Sequence, residues 1–393
     1  MTNVLFLSAW YPHRYDKMAG LFVQKHAEAV SLYCNVKVLY VHADENIQTI
    51  EIIEQHKGKV HEFIVYYPCK KEGIFHKSQK VFKYLNAYLK GYKKITKTGF
   101  NIDITHVNVL TRTGVMAYLL KLHKGTPYVI TEHWTRYLPK QEGYKGLLRK
   151  FATKIAVKNA SAILPVSELL KKAMLSHNLD HLNYQIVNNV VDDIFFKNST
   201  NIPHSKKRIL HISCFYDIQK NISGVLRAAL ALTKIRQDFE LVIIGEGIDF
   251  KEIKNYADSL NFPKDILYFT GEKSSIEVAG WLQNSDFFVL FSNYETAGVV
   301  IAESLVCGKP VLSTKVGAAP EYINNKNGIL ISVGDEIALF KEMNYLLDNL
   351  DKYNLQNIKE NAKDLFNYQN IGKKIQEIYL QIFNNQQIDN PNT

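Results

Sequence analysis

The feature that most constrains this chain is an alternation that occurs twice. In the first half, short runs rich in β-branched residues, Val4–Leu7, Val36–Val41, Ile104–Val107 and Tyr128–Thr131, alternate with amphipathic segments at Leu21–Leu32, Val81–Lys94 and Leu147–Val157. The second half repeats the scheme. Ile209–Ile212, Leu241–Ile244, Ile266–Phe269, Phe287–Phe291, Val311–Ser313 and Ile329–Ile331 read as strands. Helical stretches lie near Gly224–Ile235, Phe250–Leu260, Glu277–Gln283, Gly298–Val306 and Glu336–Leu347. A strand that is apolar throughout must be covered on both faces, which is the situation of parallel strands flanked by helices. Two such series predict two Rossmann-like, doubly wound α/β domains, over residues 1–192 and 209–383, joined by a linker over 193–208. Within the linker, Asn198–Pro203 has turn and loop composition. The last helix has the option of packing back on the first domain, and the polar residues 384–393 read as a frayed tail. Paired domains of this kind are expected to take a ligand in a central cleft, at the carboxyl ends of their strands.

Composition narrows the class further. With 46% hydrophobic and 22% charged residues, the chain fits neither a collagen-like nor a disordered polymer. No apolar run reaches the roughly 18–20 residues of a membrane-spanning helix. The early stretch Val4–Trp10 lacks a preceding basic residue and runs into Tyr11-Pro12, so it reads as a buried strand rather than a signal sequence. Cys34, Cys69, Cys214 and Cys307 stand far apart with no CxxC pair, which argues against structural zinc or a disulfide framework and fits a reducing cytoplasm. The formal charge is +10, and the excess is concentrated. Lys70–Lys97 holds nine lysines against the single acid Glu72, and Lys140–Lys158 holds six basic residues against Glu142. Both runs are interleaved with aromatics such as Phe82 and Tyr88. They read as solvated helix faces or as a surface for anionic lipid or a polyanion. No nucleic-acid-binding motif accompanies them.

The stretch from Asn293 to Val311, NYETAGVVIAESLVCGKPV, follows the apolar strand Phe287–Phe291 and opens a helix. Amides around Thr296, Ala297 and Gly298 would point outward from the helix start, a place suited to a diphosphate. Glu303 follows Glu295 by eight positions, about 12 Å along a helix at ~1.5 Å per residue, and a little over two turns returns it toward the same side. The pair is expected to meet a sugar with one carboxylate and a ribose with the other.

These residues resemble the signature of glycosyltransferase family 4, the group 1 retaining glycosyltransferases with the GT-B fold. Glu295, Glu303, Gly308, Pro310 and Val311 fit its order, with Ala297 where an aromatic residue or leucine is usual. Further similarity extends over nearly the whole chain. Gly317-Ala318-Ala319-Pro320-Glu321 resembles the Gly-Gly-x-x-Glu loop, Leu241–Gly247 the strand and Gly-x-Gly turn at Gly245, and Phe269-Thr270-Gly271 the strand end near the nucleotide base. On this resemblance Lys220 contacts the donor diphosphate. A charge pair at ~4 Å is worth about 1 kcal/mol in water and about 4 kcal/mol at an effective dielectric near 20. The family's arginine some five residues before that lysine is replaced by Ser213-Cys214-Phe215-Tyr216, with Arg112 and Lys315 as possible substitutes. Gly20 matches the glycine loop after the first strand, with Ala19 where the family has another glycine. His133, in Thr131-Glu132-His133-Trp134, matches a histidine near the donor sugar. His106 and Arg112 are candidates for the acceptor side, and Ser167 and Asn189 for holding geometry near the hinge.

The resemblance implies a retaining, metal-independent enzyme that needs no cofactor. It would move a sugar from a nucleotide-sugar donor to a glycan or lipid-linked acceptor, in polysaccharide or lipopolysaccharide-type biosynthesis. The implied setting is cytoplasmic, peripheral on the inner face of the membrane, with no nucleic-acid partner. A GT-B-like nucleotide-sugar epimerase and a non-catalytic sugar- or nucleotide-binding module are the alternatives.

Overall fold

The computed structural model describes residues 1–69, 77–110, 112–139, 143–197 and 204–389. It divides into two compact units, the first made of Met1–Val166, Leu170–Val190 and Tyr368–Thr393, the second of Ser167–Leu169 and Val191–Asn367. The expected linker segment Asn198–Pro203, the start of the basic run at Lys70–His76, Lys140–Glu142 and the end of the tail lie outside the described residues.

In the first unit the elements are β1 (Asn3–Ser8), α1 (Leu21–Val30), β2 (Asn35–Asp44), β3 (Glu51–Lys57), β4 (Val60–Pro68) and α2 (Lys77–Thr96). There follow β5 (Ile104–Asn108), α3 (Arg112–Lys124), β6 (Tyr128–Glu132), α4 (Leu147–Asn159), β7 (Ala162–Pro165) and α5 (Glu168–Ser176), the last of which crosses the division. The sheet order is β3-β4-β2-β1-β5-β6-β7. Every pairing is parallel except β3 with β4. This antiparallel edge was not expected from the sequence. β3 is largely exposed and mostly polar, so it carries no apolar run to announce it.

The second unit contains β8 (Lys207–Ile212), α6 (Asp217–Lys220), α7 (Ile222–Thr233), β9 (Phe239–Ile244), α8 (Phe250–Ser259) and β10 (Leu267–Phe269). It continues through α9 (Ser275–Gln283), β11 (Phe287–Leu290), α10 (Val299–Val306), β12 (Val311–Thr314) and α11 (Ala319–Tyr322). Then come β13 (Gly328–Ile331), α12 (Glu336–Asp348) and α13 (Leu355–Phe366). Its sheet runs β10-β9-β8-β11-β12-β13, all parallel. Strand order reverses between β1 and β5 in one unit and between β8 and β11 in the other. At such switch points the connections leave in opposite directions and open a crevice beyond the carboxyl ends of the strands.

The final helix, α14 (Tyr368–Asp389), belongs to the first unit. It is helical through Asp389, where polar composition suggested an end near Phe383. Ile371, Ile375, Ile378 and Ile382 repeat at helical spacing and are all buried in the first unit's core. Gly372 permits this docking on α1, because a Cβ there would stand 2.1 Å from the Ala29 carbonyl oxygen.

Candidate active site

At the β8/β11 switch point of the second unit, two loops are tied together. The Asn293 amide donates to the Gln219 carbonyl at 2.7 Å, and the Asn293 side-chain amide donates to the Ile218 carbonyl at 2.9 Å. This clamp sets α6 against the loop after β11 and brings Lys220 Nζ onto Glu295 Oε1 as an ion pair. The pair is nearly closed to water, the side chains being 13% and 9% exposed. Ser292 Oγ donates to the same carboxylate oxygen at 2.9 Å, and Thr314 Oγ1 donates to the Ser292 carbonyl at 2.7 Å. Burial works against the charge on Lys220, but the Glu295 carboxylate outweighs it and its pKa lies above the usual lysine value. The lysine is thus held charged, and the Glu295 carboxylate is oriented by Lys220 and Ser292.

Glu295 lies in a loop, and α10 begins only at Val299, so the two-turn helical offset expected between Glu295 and Glu303 does not describe their relation. Glu303 stands on α10 and is half-buried. Gly298 caps this helix in the left-handed conformation, at φ 63°, and no side chain caps the helix start. Gly317 presses on the same loop. A Cβ there would lie 2.7 Å from the Thr296 carbonyl oxygen and 2.8 Å from Glu295 Cβ, so the loop after β12 can support Glu295 only with glycine. Ala297 is buried.

The Gly-x-Gly turn after β9 supports the neighbouring loop. A Cβ on Gly245 would lie 1.9 Å from the Ser213 carbonyl oxygen, and one on Gly247 would lie 2.6 Å from the Phe215 amide nitrogen. Phe215 is thereby locked into the core beside Phe250 and Phe269. In place of an arginine this segment presents the exposed Cys214. Gly271 joins the group through its carbonyl, which accepts from the Gly245 amide at 3.0 Å.

The first unit builds its counterpart beside the β1/β5 switch point. Gly20, at φ 62°, precedes α1, and a Cβ there would lie 2.3 Å from the Trp10 carbonyl oxygen, so the loop after β1 folds onto itself only with glycine. Val109, just beyond β5, also has a left-handed backbone at φ 65°, a strained state for a β-branched residue. Glu132 holds this region in place. Its buried carboxylate accepts from the amides of Leu110, His133 and Trp134 at 2.8–2.9 Å and from Tyr137 Oη at 3.3 Å. Desolvation pushes its pKa up while these donors pull it down, and the balance is upward. Sequence reasoning passed over Glu132; its only signal was its place between the strand and His133.

His133 is buried against Phe22, with ring centroids 4.4 Å apart. Neither ring nitrogen completes a hydrogen bond, and the nearby Asn189 Oδ1 is also buried without a partner. Desolvation, reinforced by His26 and His106, drives the His133 pKa well below 6.5, against a smaller pull from Asn189. The ring is therefore neutral at physiological pH.

Next to these residues opens a cavity of ≈ 990 Å³ lined wholly by the first unit. Trp10, Trp134, Tyr40, Tyr67 and Tyr84 form its walls, and three arginines line it, Arg112, Arg136 and Arg149.

Two family models match the chain, the one for glycosyl transferases group 1 over residues 192–365 and the one for glycosyltransferase family 4 over residues 35–194. The chain is a family 4, group 1 glycosyltransferase. Over 298 residues this glycosyltransferase is 27% identical to the N-acetyl-alpha-D-glucosaminyl L-malate synthase of Bacillus anthracis, covering 72% of this chain and 75% of that one. It is 26% identical over 281 residues to an N-acetylgalactosaminyltransferase of Campylobacter jejuni named for an N,N'-diacetylbacillosaminyl-diphospho-undecaprenol acceptor, covering 69% and 74%. Its fold matches that of Anabaena HepE, solved in complex with UDP and glucose, with a TM-score of 0.69 at 17% identity over 96% of this chain and 99% of that one. The fold is GT-B.

The glycosyltransferase does not use all the expected residues alike. Lys220, Glu295, Thr296, Ala297 and Gly298 come together with Gly317 in the second unit, while Gly20 and His133 stand on the first. His106, expected on the acceptor side, is instead a core residue. It is fully buried, with Nδ1 2.5 Å from Tyr379 Oη and Nε2 2.6 Å from Thr131 Oγ1, which join β5, β6 and α14. Arg112 lines the first-unit cavity, its guanidinium over the Tyr84 ring. Lys315 follows β12 directly and is exposed. Ser167 is fully buried and Asn189 nearly so. Among the described residues no cluster of three or more His, Cys, Asp or Glu has metal-binding geometry, and no helix is long and apolar enough to cross a membrane.

Proposed function

We propose that the enzyme is a retaining, metal-independent glycosyltransferase using a nucleotide-sugar donor bound on the second unit. The observation that carries this reading is the buried Lys220–Glu295 pair at the β8/β11 switch point, beside the uncapped start of α10. A lysine ammonium has three donors, so the hydrogen bond to Glu295 leaves Lys220 able to meet diphosphate oxygens as well. Glu303 would hold the ribose, the Thr296–Gly298 amides the diphosphate, and Gly245 and Gly271 the walls near the base. Glu295 would meet the sugar. The UDP and glucose held by the Anabaena structure support a donor of this class.

In the proposed reaction the bond from the anomeric carbon to the diphosphate oxygen breaks, and Lys220 with the helix amides stabilises the departing charge. The acceptor hydroxyl then bonds to the same face, and its proton passes to a diphosphate oxygen. Gly20 and the neutral His133 would act from the first unit, His133 as a hydrogen-bond partner rather than a cation. The acceptor is a glycan or lipid-linked glycan of envelope polysaccharide synthesis, reached at the inner face of the membrane. Support for a membrane surface comes from α4, where Leu147, Leu148 and Phe151 are 88%, 87% and 66% exposed among Arg149, Lys150 and Lys154.

A thermal-shift screen of UDP-, GDP- and ADP-sugars tests the donor assignment, because a ligand that binds the native state raises the melting temperature by mass action. Product analysis by NMR, with chelator present, tests stereochemistry and metal independence together. An inverted anomeric configuration or loss of turnover in chelator would overturn the corresponding part. Sedimentation with anionic but not neutral vesicles is expected, and equal pelleting with both would remove the membrane proposal.

A further inference from the structure

The first-unit cavity carries charge that the fold does not answer. Of its three guanidinium groups, that of Arg136 is the most informative. Arg136 is only 5% exposed, it lies over the Trp134 ring, and its Nε and Nη1 are buried with no hydrogen-bond partner. Burying an ion in this way is costly unless something pairs with it. Arg149 is close enough to add repulsion. No carboxylate lines the cavity among the described residues. Tyr137 and Glu132 favour the Arg136 charge, but the Glu132 carboxylate is committed to three backbone amides and Tyr137. The cavity opens at the carboxyl ends of β1, β2 and β4 and beyond β6, where open α/β sheets bind ligands. Its rim is apolar. Val81 on α2 and Leu148 on α4 line it while being 58% and 87% exposed. A charged floor, aromatic walls and an exposed apolar lip together match an amphiphile with an anionic group at its polar end.

The geometry points to a second anion site in the first unit, where Arg112, Arg136 and Arg149 bind the phosphate or diphosphate of a lipid-linked acceptor whose hydrocarbon leaves over Val81 and Leu148. This rests on the proposed reading of the first unit as the acceptor side, and it names that acceptor's chemistry. Arginine suits the task, since its planar fork takes phosphate oxygens two at a time and never loses its charge. Diphosphate on this site would place negative charge beside Arg136.

The test uses the full chain and the intrinsic fluorescence of Trp10 and Trp134, which line the cavity. Farnesyl diphosphate, farnesol and inorganic pyrophosphate are titrated with saturating UDP present, so that the second unit is occupied. Farnesyl diphosphate is expected to bind at least ten-fold more tightly than either of the others. Arg136→Met should weaken it at least ten-fold while leaving the melting temperature unchanged or higher, because it removes an unpaired buried charge. Arg136→Lys should restore part of the loss. Leu148→Ser should weaken farnesyl diphosphate but not pyrophosphate. Equal affinity for farnesol and its diphosphate, or unaltered binding by Arg136→Met, would overturn the site. Pyrophosphate binding as tightly as farnesyl diphosphate would overturn its lipid half, and point to a soluble phosphate instead. UDP-induced stabilisation of Arg136→Met is measured alongside. If UDP stabilises the wild-type chain while farnesyl diphosphate fails to bind that chain, only this inference falls; if UDP never stabilises the wild-type chain, the donor reading of the second unit falls independently.

Discussion

The second unit answers its cation from within, whereas the first does not. Lys220 is met by Glu295, and that carboxylate is met again by Ser292. Arg136 is buried just as deeply, with Nε and Nη1 unpartnered, and lines an aromatic-walled cavity that has no acid among the described residues. In the first unit His13, His26, His42, His61, His106 and His133 all have lowered pKa values, and in the second unit His211 does. One unit is internally compensated. Among the described residues the other holds most of the buried polar atoms that lack a partner, and one of those residues, Arg136, lines the cavity.

Acid should separate the two units most strongly. Burial lowers the pKa of His26 to about 4 and holds those of His106 and His133 well below 6.5. The unfolded chain takes up these protons near pH 6.5 and the folded first unit does not, so stability is present above that pH and falls as pH drops through it. The His26 ring alone contributes about 2 kcal/mol of loss by about pH 5, and His106 and His133 act in the same direction. The raised pKa of Glu132 opposes this in part. Hydrogen exchange between pH 7 and 5 should show first-unit peptides losing protection before those around β8–β13. Simultaneous loss would break the comparison.

Breaking the second unit's pair comes next. Lys220→Met strands a buried carboxylate and should cost about 3–5 kcal/mol, much of it recovered in the double variant with Glu295→Gln. Additive losses in the melting curves would mean that the two side chains do not compensate one another. Glu295→Gln alone should lower transfer by about 10²–10³ if the carboxylate acts on the transition state, with nucleotide affinity changed only a few-fold. A matching loss of nucleotide binding would reassign it to the donor's ground state.

The smallest contrast lies between two histidines of one unit. His106→Phe removes a ring bonded on both sides and should cost about 1–3 kcal/mol. His133→Phe removes a buried ring with no hydrogen bond, so it should leave the melting temperature unchanged or higher while transfer falls. A large destabilisation by His133→Phe would make that residue a core histidine like His106.

Much of the fold was legible because buried parallel strands write themselves as apolar runs. β1, β5, β6 and β11 could be read that way; the edge strand β3 could not, since it is exposed and has no such run, while the buried run Phe63–Tyr67 of β4 was there to be read and was passed over. In the site, the glycines and charged residues of the second unit announced themselves by their order. What stayed hidden was pairing across sequence distance. Lys220 and Glu295 meet because two loops are clamped at a switch point, and His106 leaves the candidate site because Tyr379, on the chain's last helix, reaches it.

Sequence alone determined two doubly wound domains and the residues of glycosyltransferase family 4, since hydrophobic period and local turn chemistry are properties of neighbours in the chain. Tertiary structure alone decided which charges are satisfied. Whether Lys220, His106, His133 and Arg136 find partners depends on side chains tens to hundreds of positions away, and burial then sets what each unpaired group costs.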